Sequence, residues 1–209
     1  MQRIVFCDFD GTITAQETFV AMVNRFAPTA AAQILPKIYA QQLTLRIGVR
    51  QILEAIPSNQ YDEIVEFAKS QSIRPGFAEL LDFLSGQNIP FVIISGGLRC
   101  MVEAVTAPFV AQIRAIHAID INTTGDYFIA SSQFEGGSEM VAKVKVMASY
   151  GSAQTIVIGD GITDWKMAIA ADVVFAKPPL IAYLAEQSKD YIMWNDFFDV
   201  RDCIIKLLD

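Results

Sequence analysis

The sequence predicts an α/β protein: a doubly wound, mostly parallel sheet whose first strand is followed by an inserted bundle of four helices. Three observations lead there. Short continuous apolar runs, such as Ile4–Phe6, Ile89–Ile94 and Thr155–Ile158, alternate with amphipathic stretches, as strands buried on both faces alternate with their crossover helices. Residues 14–74 depart from that alternation and carry helical periodicity alone. Finally, three apolar runs end in polar clusters, Asp8-Phe9-Asp10-Gly11, Ser95-Gly96-Gly97 and Gly159-Asp160. In open α/β sheets the ligand crevice lies outside the carboxyl ends of the strands, so such clusters converge on one place.

Each element follows from local signals. Residues 3–8 read as the first strand, and Gly11 lets the chain turn sharply where it ends. Phe19, Met22, Val23 and Phe26 fall at i, i+3, i+4 and i+7, the apolar face of a helix beginning near Gln16. Ala30–Ala40, Leu45–Ala55 and Gln60–Ser70 read as three further helices, separated from one another and from the first by Pro28, Leu43-Thr44 and Pro57-Ser58-Asn59. Pro75-Gly76 closes the insertion, giving a core of residues 1–13 and 75–209 and a helical cap of residues 14–74. In the core, a helix over Phe77–Leu84 precedes the Ile89–Ile94 strand, and another runs to about Pro108. A strand and hairpin are expected between Ile113 and Phe134, then a helix over Ser138–Tyr150. The Thr155–Ile158 strand, a helix over Thr163–Ala170, a strand at Val173–Phe175 and a helix over Pro178–Glu186 follow. Tyr191–Met193 and a last amphipathic helix to Leu208 complete the chain.

Composition narrows the function. The 209 residues are 53% hydrophobic, with a mean hydropathy of +0.35, enough for a sizeable core and against disorder. No apolar run approaches the ~18 residues that span a bilayer, and the chain enters its first strand without a basic leader, so a cytoplasmic protein is expected. The formal charge of −7 and the lack of a Lys/Arg cluster argue against nucleic acid and anionic membranes as partners. Cys7, Cys100 and Cys203 are scattered and odd in number, which suits reduced thiols rather than a disulfide frame or a zinc site. His117 is the only histidine, so His-rich metal sites are excluded and a Ser-His triad is disfavoured.

The clusters define a chemistry. Three or four of the acids Asp8, Asp10, Asp160 and Asp164, brought together, would repel one another and raise each other's pKa values. A hard divalent cation relieves that repulsion, and oxygen-only donors suit Mg²⁺, which keeps waters and takes phosphate oxygens. Ser95 supplies a hydroxyl, while Gly96 and Gly97 leave backbone N–H groups free to approach an anion at the start of a helix. Lys143 and Lys145 both lie on the expected 138–150 helix. From Lys143, the buried stripe Val146, Met147 and Tyr150 falls at +3, +4 and +7, so Lys143 faces the sheet. It supplies the positive charge that an in-line phosphoryl displacement requires.

Asp8-x-Asp10-Gly11-Thr12, Ser95, a helical lysine and Gly159-Asp160-x-x-x-Asp164 resemble the four motifs of the haloacid dehalogenase superfamily phosphatases, and the helical insertion after the first motif resembles the phosphoserine phosphatase branch. The resemblance spans almost the whole chain. It implies a Mg²⁺-dependent phosphatase of a small phosphorylated metabolite, with Asp8 as nucleophile and Asp10 as general acid and then base. It further implies that Asp8, the Asp10 backbone carbonyl and Asp160 hold the metal, with Asp164 supporting it through water or orienting Lys143. Ser95, Gly96 and Gly97 would take the phosphate. Glu17, nine residues after Asp8, stands where that branch meets a substrate amino group, or serves as an acid at a helix N-terminus. Arg50, like Arg46, is a candidate for an anionic or hydroxylated substrate tail. Val49 stands where phosphoserine phosphatases place a carboxylate-binding arginine, which counts against serine's carboxylate. A phosphorelay-type phosphoacceptor module also uses a phosphorylated Asp and Mg²⁺, yet it lacks both the insertion and the Asp8-x-Asp10 pair; a non-catalytic scaffold is disfavoured because every motif residue is present.

Overall fold

A computed structural model describes residues 2–151 and 153–208. Met1, Ser152 and Asp209, which the sequence assigns to the core, lie outside them. Seven strands form one sheet in the order β4-β3-β2-β1-β5-β6-β7. The strands are β1 (Arg3–Cys7), β2 (Phe91–Leu98), β3 (Ile113–Asn122), β4 (Ile129–Ser131), β5 (Gln154–Gly159), β6 (Val173–Ala176) and β7 (Ile192–Met193). All neighbours run parallel except β4, which returns antiparallel to β3. β1 sits in the middle, with Cys7 paired to Ile93 of β2 and to Ile158 of β5. Its four residues Ile4–Cys7 are all buried, as the unbroken apolar run requires of a strand covered on both faces.

Between β1 and the rest of the core lie α1 (Thr18–Phe26), α2 (Pro28–Tyr39), α3 (Leu45–Leu53) and α4 (Tyr61–Lys69). Their apolar stripes bury Met22, Val23, Ile52, Leu53, Ile64 and Ala68. The insertion leaves and returns side by side: Thr14 and Ile73 form an antiparallel bridge, and the Arg74 N–H donates to the Ile13 carbonyl at 2.8 Å. The core helices are α5 (Phe77–Gly86), α6 (Arg99–Thr106), α7 (Lys143–Ala148), α8 (Trp165–Ala170), α9 (Leu180–Glu186) and α10 (Phe197–Leu208). No helix among the described residues is long and apolar enough to cross a membrane.

Three local expectations are corrected. Pro28 does separate the first two helices, but the second begins at Pro28 itself rather than at Ala30, since the missing N–H is no loss at a first helical position. Ser95-Gly96-Gly97 continues β2 to Leu98 instead of leaving the strand at Ile94, with a register shift against β3 between Ile94 and Leu98. The helix expected over Ser138–Tyr150 is only Lys143–Ala148, because residues 134–142 close into a loop through an Ala142 N–H bond to the Phe134 carbonyl at 2.8 Å.

Phe77 opens α5 at the centre of an aromatic cluster, its ring 5.7 Å from Phe91, 5.2 Å from Phe109 and 5.1 Å from Phe197. It therefore joins β2, α5 and α10. Phe77→Ala should cost about 3–5 kcal/mol of stability, read as a shift in the urea midpoint; a loss below about 1 kcal/mol would place the core's main joint elsewhere.

Candidate active site

At the end of β1 the backbone stays extended through Asp8, whose N–H donates to the Ile158 carbonyl of β5 at 2.9 Å. The chain then makes one wide turn over Phe9–Ile13, closed by the Thr14 N–H on the Phe9 carbonyl at 3.0 Å. Gly11 takes a φ of +77°, a conformation that side-chain-bearing residues rarely adopt. A Cβ there would also collide with Asp160 Oδ2, so the glycine is what lets the β5 carboxylate approach the turn.

Asp8, Asp160 and Asp164 each offer an oxygen within 4.8 Å of the others, and all three are buried. Lys143, itself 2% exposed, places its ammonium between Asp8 Oδ1 and Asp164 Oδ1, the latter at 2.5 Å. Asp164 Oδ2 accepts the N–H groups of Asp160 and Gly161 at 3.1 and 2.9 Å. Both Asp164 oxygens are thus committed to the lysine and the loop. Asp160 Oδ1 accepts the Thr12 hydroxyl at 2.8 Å.

Electrostatics follow from burial. Desolvation, then Asp164, pushes the Asp8 carboxyl well up despite Lys143. The same two causes raise Asp160 to about 6, against the Thr12 hydrogen bond and Lys143. For Lys143 desolvation acts downward, but Asp164 and Asp8 more than offset it and hold the ammonium charged. One cation against three buried acids leaves an excess of negative charge, and the donors are all oxygens. That set fits a hard divalent cation such as Mg²⁺, with Asp8 and Asp160 as the carboxylates placed to hold it.

Asp10 stands apart from that cluster. Its carboxylate turns toward the start of α1, where Oδ1 accepts the Thr18 hydroxyl and the Phe19 N–H, the latter at 2.9 Å. Burial raises its pKa, while both hydrogen bonds favour the charged form. Ser95 is buried beside it: a Cβ on Gly97 would come within 2.9 Å of Asp10 Oδ2 and 3.3 Å of Ser95 Oγ. The Gly97 N–H is used on Ser95 Oγ at 2.9 Å, so of the two glycine amides only Gly96, which is exposed and opens onto free space, is left for an anion.

The remaining sequence candidates divide. Lys145 points away and donates to the Glu135 carbonyl at 3.0 Å. Glu17 immediately precedes α1 without capping it by its side chain; it is exposed, yet neighbouring groups desolvate its inner side and, with Asp10, raise it to about 7. Arg50 lies on α3, paired with Glu135 rather than open to the crevice. Sequence reasoning assigned no role to Thr12, Thr18 or Arg74. Thr12 closes the first motif and Thr18 follows it by six residues, so both were within reach of a hydroxyl-to-carboxylate argument. Arg74 carried no signal; its guanidinium returns across the insertion to the carbonyls of Thr12 (2.9 Å) and Gly11 (2.5 Å), pinning the turn that presents Asp8 and Asp10.

This arrangement has relatives. The model of the haloacid dehalogenase-like hydrolases matches residues 5–168, from β1 through most of α8, and the chain belongs to that family. Within it the chain is a phosphoric monoester hydrolase. A Microcystis aeruginosa protein named 2-hydroxy-3-keto-5-methylthiopentenyl-1-phosphate phosphatase is 49% identical over 207 residues, covering 98% of this chain and 99% of its own. A Bacillus anthracis protein of the same name is 32% identical over 217 residues, covering 98% and 97%. Among solved structures, phosphoserine phosphatase from T. onnurineus superposes with a TM-score of 0.71 at 19% identity, covering 98% of this chain and 94% of that one. A substrate-bound phosphoserine phosphatase gives 0.72 at 16% identity, covering 96% and 97%. At such identities the likeness establishes the doubly wound fold.

The raised carboxyls make a pH prediction for the protein freed of metal with EDTA. A folded Asp160 near 6 keeps its proton where an unfolded one, at about 4, has lost it. Its contribution to stability is therefore complete below about 4 and lost as pH rises through about 6. The gain in Tm on adding Mg²⁺ should grow across that window, since the cation competes with the proton. A Mg²⁺ gain independent of pH between 5 and 7 would contradict this charge balance.

Proposed function

We propose that the site hydrolyses a small phosphorylated metabolite in two steps through Asp8. The observation that carries this reading is the Lys143 ammonium, buried between Asp8 and Asp164 at the carboxyl ends of β1 and β5. Asp8 attacks phosphorus and the ester bond to the leaving oxygen breaks, with Asp10 giving its proton to that oxygen. Asp10 then takes a proton from water, which attacks the aspartyl-phosphate, releases inorganic phosphate and restores Asp8. Lys143 offsets charge developing on the phosphoryl oxygens, a role supported by its retained ammonium. The Ser95 hydroxyl, which accepts from Gly97, has its proton to give a phosphate oxygen, and the Gly96 amide adds a second donor. Mg²⁺, held by Asp8 and Asp160 and, in the family's manner, the Asp10 carbonyl, would neutralise the acids and the bound phosphate together. Asp164 supports it by fixing Lys143 and the 160–161 amides.

Residues 14–74 act as the cap in this reading, selecting the substrate and excluding water and bulky phosphoproteins. The substrate we favour is 2-hydroxy-3-keto-5-methylthiopentenyl-1-phosphate, an intermediate of methionine salvage, or a related ester. The two relatives named above support this choice, as does Val49, a buried apolar residue where phosphoserine recognition would call for an arginine. Phosphoserine is the alternative, supported by the fold neighbours and by Glu17 at the rim.

Two measurements test the roles. Asp8→Asn should abolish Mg²⁺-dependent hydrolysis of p-nitrophenyl phosphate, and Lys143→Ala should lower kcat at least about a hundredfold, far more than Lys145→Ala, which loses only a hold on the Glu135 carbonyl. Activity kept in Asp8→Asn, or equal losses for the two lysines, would overturn the assignment. For the substrate, kcat/KM for the methylthio enol phosphate should exceed that for phosphoserine by about a hundredfold or more; the reverse order would make this a serine-directed enzyme.

A further inference from the structure

Arg50 has the position expected of a substrate-binding cation, on the third helix of the insertion, yet its guanidinium is taken. Nη2 pairs with Glu135 and lies 3.8 Å from Met140 Sδ. Glu135 and Met140 belong to the 134–142 loop, which runs directly into Lys143. We propose that Arg50 and Glu135 form a positioning pair, through which the seating of the helical insertion sets where Lys143 stands against Asp8 and Asp164. The proposal rests on the reading of Lys143 as the group that neutralises the phosphoryl oxygens.

Three features make the loop a rigid transmitter. First, α3 grips it twice: beside the Arg50 pair, the Arg46 N–H donates to the Ser138 carbonyl at 2.8 Å. Second, the loop is closed on itself. The Gly136 N–H bonds the Glu139 carbonyl at 2.9 Å, and Ala142 N–H bonds the Phe134 carbonyl. A Cβ on Gly136 would come within 2.9 Å of the Ala142 Cβ, so the end gripped by Arg50 lies against the residue before the lysine. Third, the core holds the opposite side. Lys166 of α8 pairs with Glu139 at 2.6 Å, and Lys145 Nζ takes the Glu135 carbonyl at 3.0 Å. Glu135 is therefore held by the core through its backbone and by the insertion through its carboxylate. Met140, Val141 and Ala142 are buried, so a displacement at Glu135 is carried onward rather than absorbed in solvent.

The pair is a poor stabiliser, with side chains 36% and 30% exposed. Half-exposed ion pairs add little to global stability. What it fixes is geometry, at a lysine whose ammonium must meet two carboxylates at once.

The test is a charge reversal. Arg50→Glu and Glu135→Arg should each lower kcat for p-nitrophenyl phosphate about two- to fivefold, the reach of a weak pair, with KM and Tm nearly unchanged. The doubly reversed protein, Arg50→Glu with Glu135→Arg, should recover most of the loss. Glu135→Gln, which keeps the side chain's size, should lower kcat in the same direction and guards against a folding defect. Singles without effect on kcat, or a double no better than the worse single, would overturn the proposal. So would Arg50 variants that raise KM for the phosphorylated metabolite alone while Glu135→Arg is silent, since Arg50 would then serve the substrate directly. Lys143→Ala separates the two layers: full activity there removes the lysine's role itself, whereas an inactive Lys143→Ala with no rescue by reversal removes only the coupling.

Discussion

The site depends on one buried ammonium. Lys143 lies between Asp8 and Asp164, and the desolvation that raises the Asp8 carboxyl would expel the lysine's charge too were those two acids absent. Unit charges about 4 Å apart interact by about 4 kcal/mol at an effective dielectric of 20, so neither partner is neutral to the other's position. The lysine lets Asp8 and Asp164 coexist, but one positive charge does not balance three acids. The remainder is the electrostatic case for a divalent cation beside Asp8 and Asp160.

The sheet makes this crowding possible. β1 is central and ends beside β5, so Asp8 and Asp160 emerge next to each other although far apart in sequence. β2 flanks the other side and carries Ser95 within the stretch where its ladder with β3 slips. Close approach then requires missing side chains. A Cβ on Gly159 would stand 2.7 Å from Asp164 Oδ2, and one on Gly97 would press on Asp10. Arg74 supplies the complementary restraint from the far end of the insertion, holding the carbonyls that follow Asp10. The first-motif turn is thus fixed by the last residue of the insertion.

Much of this was legible in the sequence. Continuous apolar strands, helical stripes and the Asp8-x-Asp10 and Gly159-Asp160 endings carry local signals, and the spacing of Val146 and Met147 distinguished Lys143 from Lys145, although Tyr150, the third member of that stripe, lies beyond the end of α7 and is only half-buried. What was not legible depends on tertiary closure. The helix expected from Ser138 gives way to a loop because Ala142 and Phe134 pair across it, a bond that periodicity does not encode. Ser95-Gly96-Gly97 stays in β2 because the strand rejoins β3 at Leu98 after its register slips, a long-range pairing that the local sequence does not encode. Arg50 looked free because Glu135, its partner, lies 85 residues further along the chain. The carboxylate of Asp10 was expected among the other acids, but the donors at the start of α1 draw it aside.

The central claim is that Asp8 itself receives the phosphoryl group. In a single turnover with excess enzyme, acid-quenched on the millisecond scale and digested, the peptide containing Asp8 should carry one added phosphoryl mass that rises and decays before free phosphate is complete. A turnover that releases phosphate with no such species at any time, or with the added mass on another residue, would contradict the account.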